Sequence, residues 1–247
     1  MSVPRLRMFA GPNGSGKSTL KTVLPAHLLG HYLNPDEIEA AIRSAGEFDL
    51  TSFGVPIRGL DAGEYFRRSA FLASAGLSAT VAGIGFERDR IDFRAVPINS
   101  YFASVLADFL RRSLLAAKAS FSFETVMSAP DKVALLKAAQ ASGYRTYLYF
   151  VATDDPAINV SRVRQRVRAG GHDVPADKIV ARYYRSLELL PDAIRGTDRA
   201  YLFDNTASAL VWLAEVTSGG EWELKAEPLP KWFRAAVWDR LAEPGKE

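Results

Sequence analysis

Gly11-Pro12-Asn13-Gly14-Ser15-Gly16-Lys17-Ser18 is the stretch whose reading decides the fold. It matches in full the pattern G-x-x-x-x-G-K-[ST], a glycine-rich loop that wraps phosphate groups. The residues before it, Leu6-Arg7-Met8-Phe9-Ala10, form a short, mostly apolar run suited to a buried strand, and Thr19 to Leu28 can carry a helix. Between these elements Gly11, Gly14 and Gly16 let the backbone curl, so that successive N–H groups aim at phosphate oxygens. The helix start adds partial positive charge at the same place. Lys17 can then reach the β- and γ-phosphates, and the Ser18 hydroxyl can ligate Mg²⁺. A glycine turn that merely happens to carry a lysine is the alternative, and the strand–loop–helix context weighs against it. The expected nucleotide-binding set is Gly11, Pro12, Asn13, Gly14, Ser15, Gly16, Lys17, Ser18 and Thr19.

Working outward, a chain of 247 residues with 48% hydrophobic and 24% charged residues suits one α/β domain with an appendage. The formal charge of +3 is mild, and its densest cluster lies at Arg162–Arg168. With no cysteine, disulfides and thiolate-bound zinc are excluded, which fits a reducing cytoplasm. Three scattered histidines give no metal site, so Mg²⁺ with the nucleotide is the expected metal. No apolar run approaches the ~18 residues of a membrane span, and the N-terminus shows no secretory pattern.

Strand and helix signals alternate along the chain. Strands are expected at 6–10, 31–34, 120–124, 145–151 and 200–203. Helices are expected at 35–44, 99–118, 131–142, 155–169 and 176–190. This order predicts a parallel sheet with helices on both faces, which binds ligands beyond the carboxyl ends of its strands. Asp36, Glu124, Asp154, Asp155, Asp204 and Asn205 fall at those ends, as one shared cleft would require, with Asn205 near the nucleotide base. The region 46–98 reads as an insertion with one helix near 61–76 and an apolar strand near 79–86. Beyond 207 a C-terminal extension is expected: a hairpin around Gly219-Gly220, then an amphipathic helix bearing Trp232, Phe233 and Trp238. The whole is read as one domain.

Three features carry chemistry. Asp36 can accept the proton of an attacking hydroxyl, with Asn34 fixing the acceptor, or it can cap a helix. Glu124 ends an apolar strand, where an ionised carboxylate needs a partner. It can hold Mg²⁺ through water, bind acceptor hydroxyls, or pair with an arginine. The helix 155–169 places Val160, Val163 and Val167 on one stripe, with Arg162 and Arg166 on the opposite side. Followed by Gly170-Gly171, it has the form of a helical lid that neutralises a transferring phosphoryl group. A solvated basic face is the alternative. Arginines without interleaved aromatics argue against nucleic-acid reading.

Taken together, the loop, Asn34-Pro35-Asp36-Glu37, Phe121-Ser122-Phe123-Glu124-Thr125 and Arg162-x₃-Arg166 with Gly170-Gly171-His172-Asp173-Val174-Pro175 resemble the zeta toxin family, in its shorter Gly-Gly-His branch. The resemblance spans about 1–45 and 99–206. It implies a P-loop kinase-like fold and ATP-dependent phosphorylation of a sugar-nucleotide such as UDP-N-acetylglucosamine, with an antitoxin protein as partner. By position it implies Lys17 and Ser18 on phosphate and Mg²⁺, Asp36 as base, and Glu124 and Thr125 on the acceptor. It also implies Arg162 and Arg166 as the arginines gripping the phosphate. His172 stands where better-known toxins carry a further arginine, and is grouped with the acceptor. Kinases of another acceptor (a nucleotide or a nucleic-acid 5′-end) and a non-kinase ATP-binding regulatory module are the competing readings.

Overall fold

The computed structural model describes residues 3–171 and 173–241, and divides into two compact units, Met1–Leu28 with Glu124–Glu247 and Leu29–Phe123. Among the described residues no helix is long and apolar enough to cross a membrane.

The first unit is built on strands β1 (Arg5–Ala10), β7 (Arg145–Ala152), β8 (Arg199–Asp204), β9 (Val211–Thr217) and β10 (Trp222–Leu224). They lie in the order β10-β9-β8-β7-β1. β7 pairs parallel with β1 on one side and β8 on the other, while β9 and β10 close the edge as an antiparallel hairpin. Leu6, Met8, Phe9, Ala10, Leu148 and Phe150 are fully buried, as strands covered on both faces must be. The covering helices are α1 (Lys17–Leu20), α6 (Asp131–Ala141), α7 (Pro156–Arg168) and α8 (Ala176–Arg195).

Two of these differ from the sequence reading. The helix expected through Leu28 is a single turn, Lys17–Leu20, followed by 3₁₀ turns at Lys21–Val23 and Ala26–Leu28. Thr22 and Val23 are β-branched, and Pro25 drives Leu24 to φ −105°, ψ 142°, which ends helical propagation. Conversely, α8 runs past Leu190 through Pro191 to Arg195, because burial of Ala193 and Ile194 holds the last turn in place. The missing Pro191 N–H costs only one bond.

The closing helical segment, residues 231–241, belongs to the core of this unit. Trp232 is 4% exposed and packs 6.0 Å from Phe150, and Phe233 is fully buried. The Trp232 indole donates to Asp204 Oδ1 at 2.7 Å and its backbone N–H to Asp154 Oδ1 at 3.2 Å. Two strand-end carboxylates expected in a cleft are therefore engaged in anchoring the extension. Trp232→Ala should destabilise the protein by about 3–5 kcal/mol, the range for buried aromatic deletions, read from urea unfolding. Trp232→Phe should cost clearly less, since it keeps the packing and loses only the indole bond. Equal losses for both would assign the effect to the hydrogen bond alone.

The second unit contains β2 (His31–Leu33), α2 (Pro35–Ala45), β3 (Glu47–Asp49), α3 (Gly59–Arg67), α4 (Ala70–Ser74), β4 (Gly85–Phe86), β5 (Arg90–Asp92), α5 (Ser100–Ala116) and most of β6 (Phe121–Thr125). β2 pairs parallel with β6, and β3-β5-β4 form a small antiparallel sheet. The helix expected at 61–76 is broken at Ser69, whose hydroxyl accepts the Leu72 N–H and caps a new helix. The strand expected at 79–86 is a 3₁₀ turn at Ala79–Gly83 with only Gly85–Phe86 extended, since the small residues offer little to pack on a sheet.

Inside this unit Asp108 of α5 accepts from Tyr65, from Arg111 at 2.9 Å and from Arg112 at 3.0 Å. Burial alone would raise its carboxyl. The Arg111 guanidinium and these hydrogen bonds outweigh burial and hold it well below the usual carboxylate range. The Tyr65 phenol is pushed up to about 12, by burial first and then by Asp108. A depressed carboxylate stabilises the fold above its unfolded value of about 4, and the contribution is lost as pH falls through that window toward the folded value. Asp108→Asn should therefore lower stability at pH 7 by about 1–3 kcal/mol, and the gap to the parent should shrink at pH 3. A gap independent of pH in urea titrations would overturn this.

Candidate functional site

The glycine loop joins β1 to α1 and takes the backbone where side chains cannot follow. Gly11, Gly14 and Gly16 have φ of 147°, 75° and 101°. A Cβ on Gly11 would sit 2.1 Å from the Val151 carbonyl oxygen, on Gly14 2.6 Å from the Asn159 carbonyl oxygen, and on Gly16 2.2 Å from Asn205 Nδ2. All three positions therefore demand glycine. Lys17 Nζ lies along the loop, donating to the Gly11 and Pro12 carbonyls at 2.9 and 3.0 Å. Among the described residues, the Gly14 and Gly16 N–H groups have no protein partner. Free amides in a curled backbone beside an ammonium group fit a phosphate chain. With α1 only one turn long, these amides and Lys17 supply the attraction rather than a helix dipole. Ser18 and Thr19 are exposed on that turn. Ser15 is fully buried, its hydroxyl without a hydrogen-bond partner.

The loop is held from outside by residues of α7, α8 and the end of β8. Asn159 Nδ2 donates to the Asn13 carbonyl at 2.7 Å, and its Oδ1 accepts from Thr153. Asn205 Nδ2 donates to the Ser15 carbonyl at 2.8 Å. Asn205, expected near the nucleotide base, thus touches the loop itself. Arg182 reaches Asn13 Oδ1 at 3.5 Å, and the buried Tyr183 hydroxyl donates to the Thr153 carbonyl at 2.6 Å. Burial raises the Tyr183 phenol and keeps it a donor. The sequence reading missed Asn159 and Thr153. The available signal was an amide one turn before Val163, on the apolar side of an otherwise charged helix.

Arg162 donates to the Asn205 and Ala207 carbonyls at 2.7 and 3.1 Å, so the first arginine of the pair is anchored beside the loop. Arg166 is exposed one turn on, and its side chain lies where a Cβ on Gly171 would fall, 2.7 Å from Arg166 Cγ. His172 lies outside the described residues. Glu124, 8% exposed, and Thr125 close β6 within this unit. The Thr125 carbonyl accepts from Gly11 at 3.3 Å, and its hydroxyl accepts the Met127 N–H at 3.0 Å. Asp155 caps α7 through Ala157, and Asp204 also holds Thr206. The carboxylates of Asp154, Asp155 and Asp204 thus serve internal contacts.

Asn34 and Asp36 belong to the second unit. Asn34 is the cap of α2, accepting the Asp36 N–H at 2.9 Å, while the Asp36 side chain is exposed in the first turn. Capping is therefore the work of Asn34, and Asp36 does not perform it. Among the described residues no group of three or more histidines and carboxylates could hold a metal by itself.

A glycine loop of this form, leading from a buried strand of a mostly parallel, helix-flanked sheet, defines an α/β protein of the P-loop kinase fold. Residues 91–213 match the family described as Zeta toxin, the family that the sequence motifs resemble. Its fold is similar to that in a crystal structure of AvrRxo1-ORF1:-ORF2 with ATP, at 16% identity and a TM-score of 0.52 over 99% of this chain and 65% of the other. It is also similar to a structure from the PezAT chromosomal toxin-antitoxin system of Streptococcus pneumoniae, at 12% identity and a TM-score of 0.51 over 100% and 82%. An uncharacterised protein of Haemophilus influenzae is 29% identical over 63 residues, 26% of this chain and 45% of the relative. The chain thus spans about two thirds of the AvrRxo1 chain and under half of the Haemophilus protein.

Proposed function

We propose that this protein is a Mg·ATP-dependent kinase that phosphorylates a hydroxyl of a sugar-nucleotide such as UDP-N-acetylglucosamine. The observation carrying the reading is the loop itself: three obligate glycines, amides at Gly14 and Gly16 without a partner among the described residues, and an ammonium already lying along it. Lys17 exchanges its carbonyl contacts for phosphate oxygens as ATP enters. Ser18, and Glu124 through water, would hold Mg²⁺, which would supply charge neutralisation on the phosphates.

Asp36 takes the proton of the acceptor hydroxyl, and its freedom from capping supports that role. Asn34, Glu124, Thr125 and His172 bind the acceptor. Arg162 and Arg166 balance charge on the transferring group, and Arg162 keeps further N–H donors for this beyond the two bonded to carbonyls. The similarity to a toxin-antitoxin structure supports an antitoxin-like protein partner, and a chain without cysteine fits action in the cytoplasm.

Incubation with ATP, Mg²⁺ and a panel of nucleotide-sugars, followed by mass spectrometry, should show one acceptor gaining one phosphate. Steady release of free phosphate with no phosphorylated acceptor would favour a regulatory ATPase instead. Transfer to a nucleic-acid 5′-end with steep salt dependence would reassign the substrate.

A further inference from the structure

We propose that Asn159 and Asn205 are positioning residues that clamp the loop carbonyls of Asn13 and Ser15 outward, so that the N–H groups of Gly14 and Gly16 face the phosphate chain. The inference rests on the nucleotide-binding reading above and deepens it. In a trans peptide the C=O and the following N–H point in opposite directions. Fixing the Asn13 oxygen therefore fixes the Gly14 N–H, and fixing the Ser15 oxygen fixes the Gly16 N–H. Both oxygens are held by side-chain amides, at 2.7 and 2.8 Å. Both of the N–H groups so aimed lack a protein partner among the described residues.

The direction of each amide is determined. A carbonyl can only accept, so Nδ2 must face the loop in both cases. Thr153 then satisfies Asn159 Oδ1, and Asn159 is fully buried, which leaves its side chain no alternative arrangement. A second observation is steric. The Asn159 backbone and the Asn205 amide stand where Cβ atoms of Gly14 and Gly16 would be. Each asparagine thus covers one of the two glycines. The two clamps come from different elements, α7 and the residue after β8, and Arg162 ties them by donating to the Asn205 carbonyl. Pre-orienting amides in this way removes the cost of organising them when the anion arrives.

The role predicts a loss confined to the phosphate chain. Calorimetric titration with inorganic tripolyphosphate should show affinity falling about tenfold to a hundredfold in Asn205→Ala and Asn159→Ala, the range for one lost hydrogen bond to a charged ligand in each. Val216→Ala, a core truncation in β9 away from the loop, serves as control for general loosening and should bind as the parent does. Asn205 is only half-buried, so its variant carries the test if Asn159→Ala fails to fold. Parent-like affinity in Asn205→Ala, or an equal loss in Val216→Ala, would overturn the clamp. A parent protein that binds no tripolyphosphate would instead overturn the nucleotide-binding reading beneath it.

Discussion

Lys17→Ala should abolish measurable phosphoryl transfer and weaken ATP binding together. The Lys17 ammonium lies on the loop, bonded to the Gly11 and Pro12 carbonyls, and needs only a local shift to meet phosphate oxygens. Each charge-assisted hydrogen bond lost in the bound state is worth about 1.5–3 kcal/mol, or roughly tenfold to a hundredfold in affinity. A preorganised donor facing charge that develops in the transition state contributes a further ~10²–10³ in kcat. The combined fall in kcat/KM should be at least about a thousandfold. Titration calorimetry with ATP and a mass-spectrometric transfer assay separate the two contributions. Unchanged ATP affinity in the variant would place Lys17 outside the nucleotide site.

Asp36→Asn should behave differently, lowering kcat by about 10²–10⁴ while leaving ATP affinity within about twofold. General-base loss falls on the chemical step alone. The structure makes this substitution interpretable, because Asn34 rather than Asp36 caps α2. Losing the Asp36 charge from the first turn removes about 0.3–1 kcal/mol of dipole stabilisation, too little to unfold the helix. Asn34→Ala supplies the contrast: it should destabilise by about 1 kcal/mol through the missing cap. Full turnover by Asp36→Asn on the phosphorylated acceptor would remove the base assignment.

Much of the architecture was legible because burial leaves a strong imprint on sequence. The apolar runs at β1 and β7 and the threes-and-fours of Phe102, Val105, Leu106, Phe109 and Leu110 in α5 are visible without coordinates, as is the hairpin around Gly219-Gly220. The glycine octet declared its loop because only glycine tolerates those φ values and those close approaches. Boundaries set by local competition were harder. The length of α1 depends on Leu24 yielding to Pro25, and the break at Ser69 depends on one hydroxyl. Polar roles were hardest of all. A strand-end aspartate can face a ligand or hold a tryptophan 28 residues away, and Asp204 does the latter. Asn159 looked like one more polar residue on a charged helix, because its meaning lies in Asn13, distant in the chain.

Helix α7 joins two tasks in one rigid rod. Its Asn159 end is fastened to the glycine loop, and one and two turns along stand Arg162 and Arg166. Such a rod does not swing freely about its fastened end, where Asn159 and Arg162 are both bonded. A displacement of the arginines is then carried to the glycine loop through Asn159. The loop and the arginine pair are thus mechanically coupled, and a weakness at either end of the rod is felt at the other.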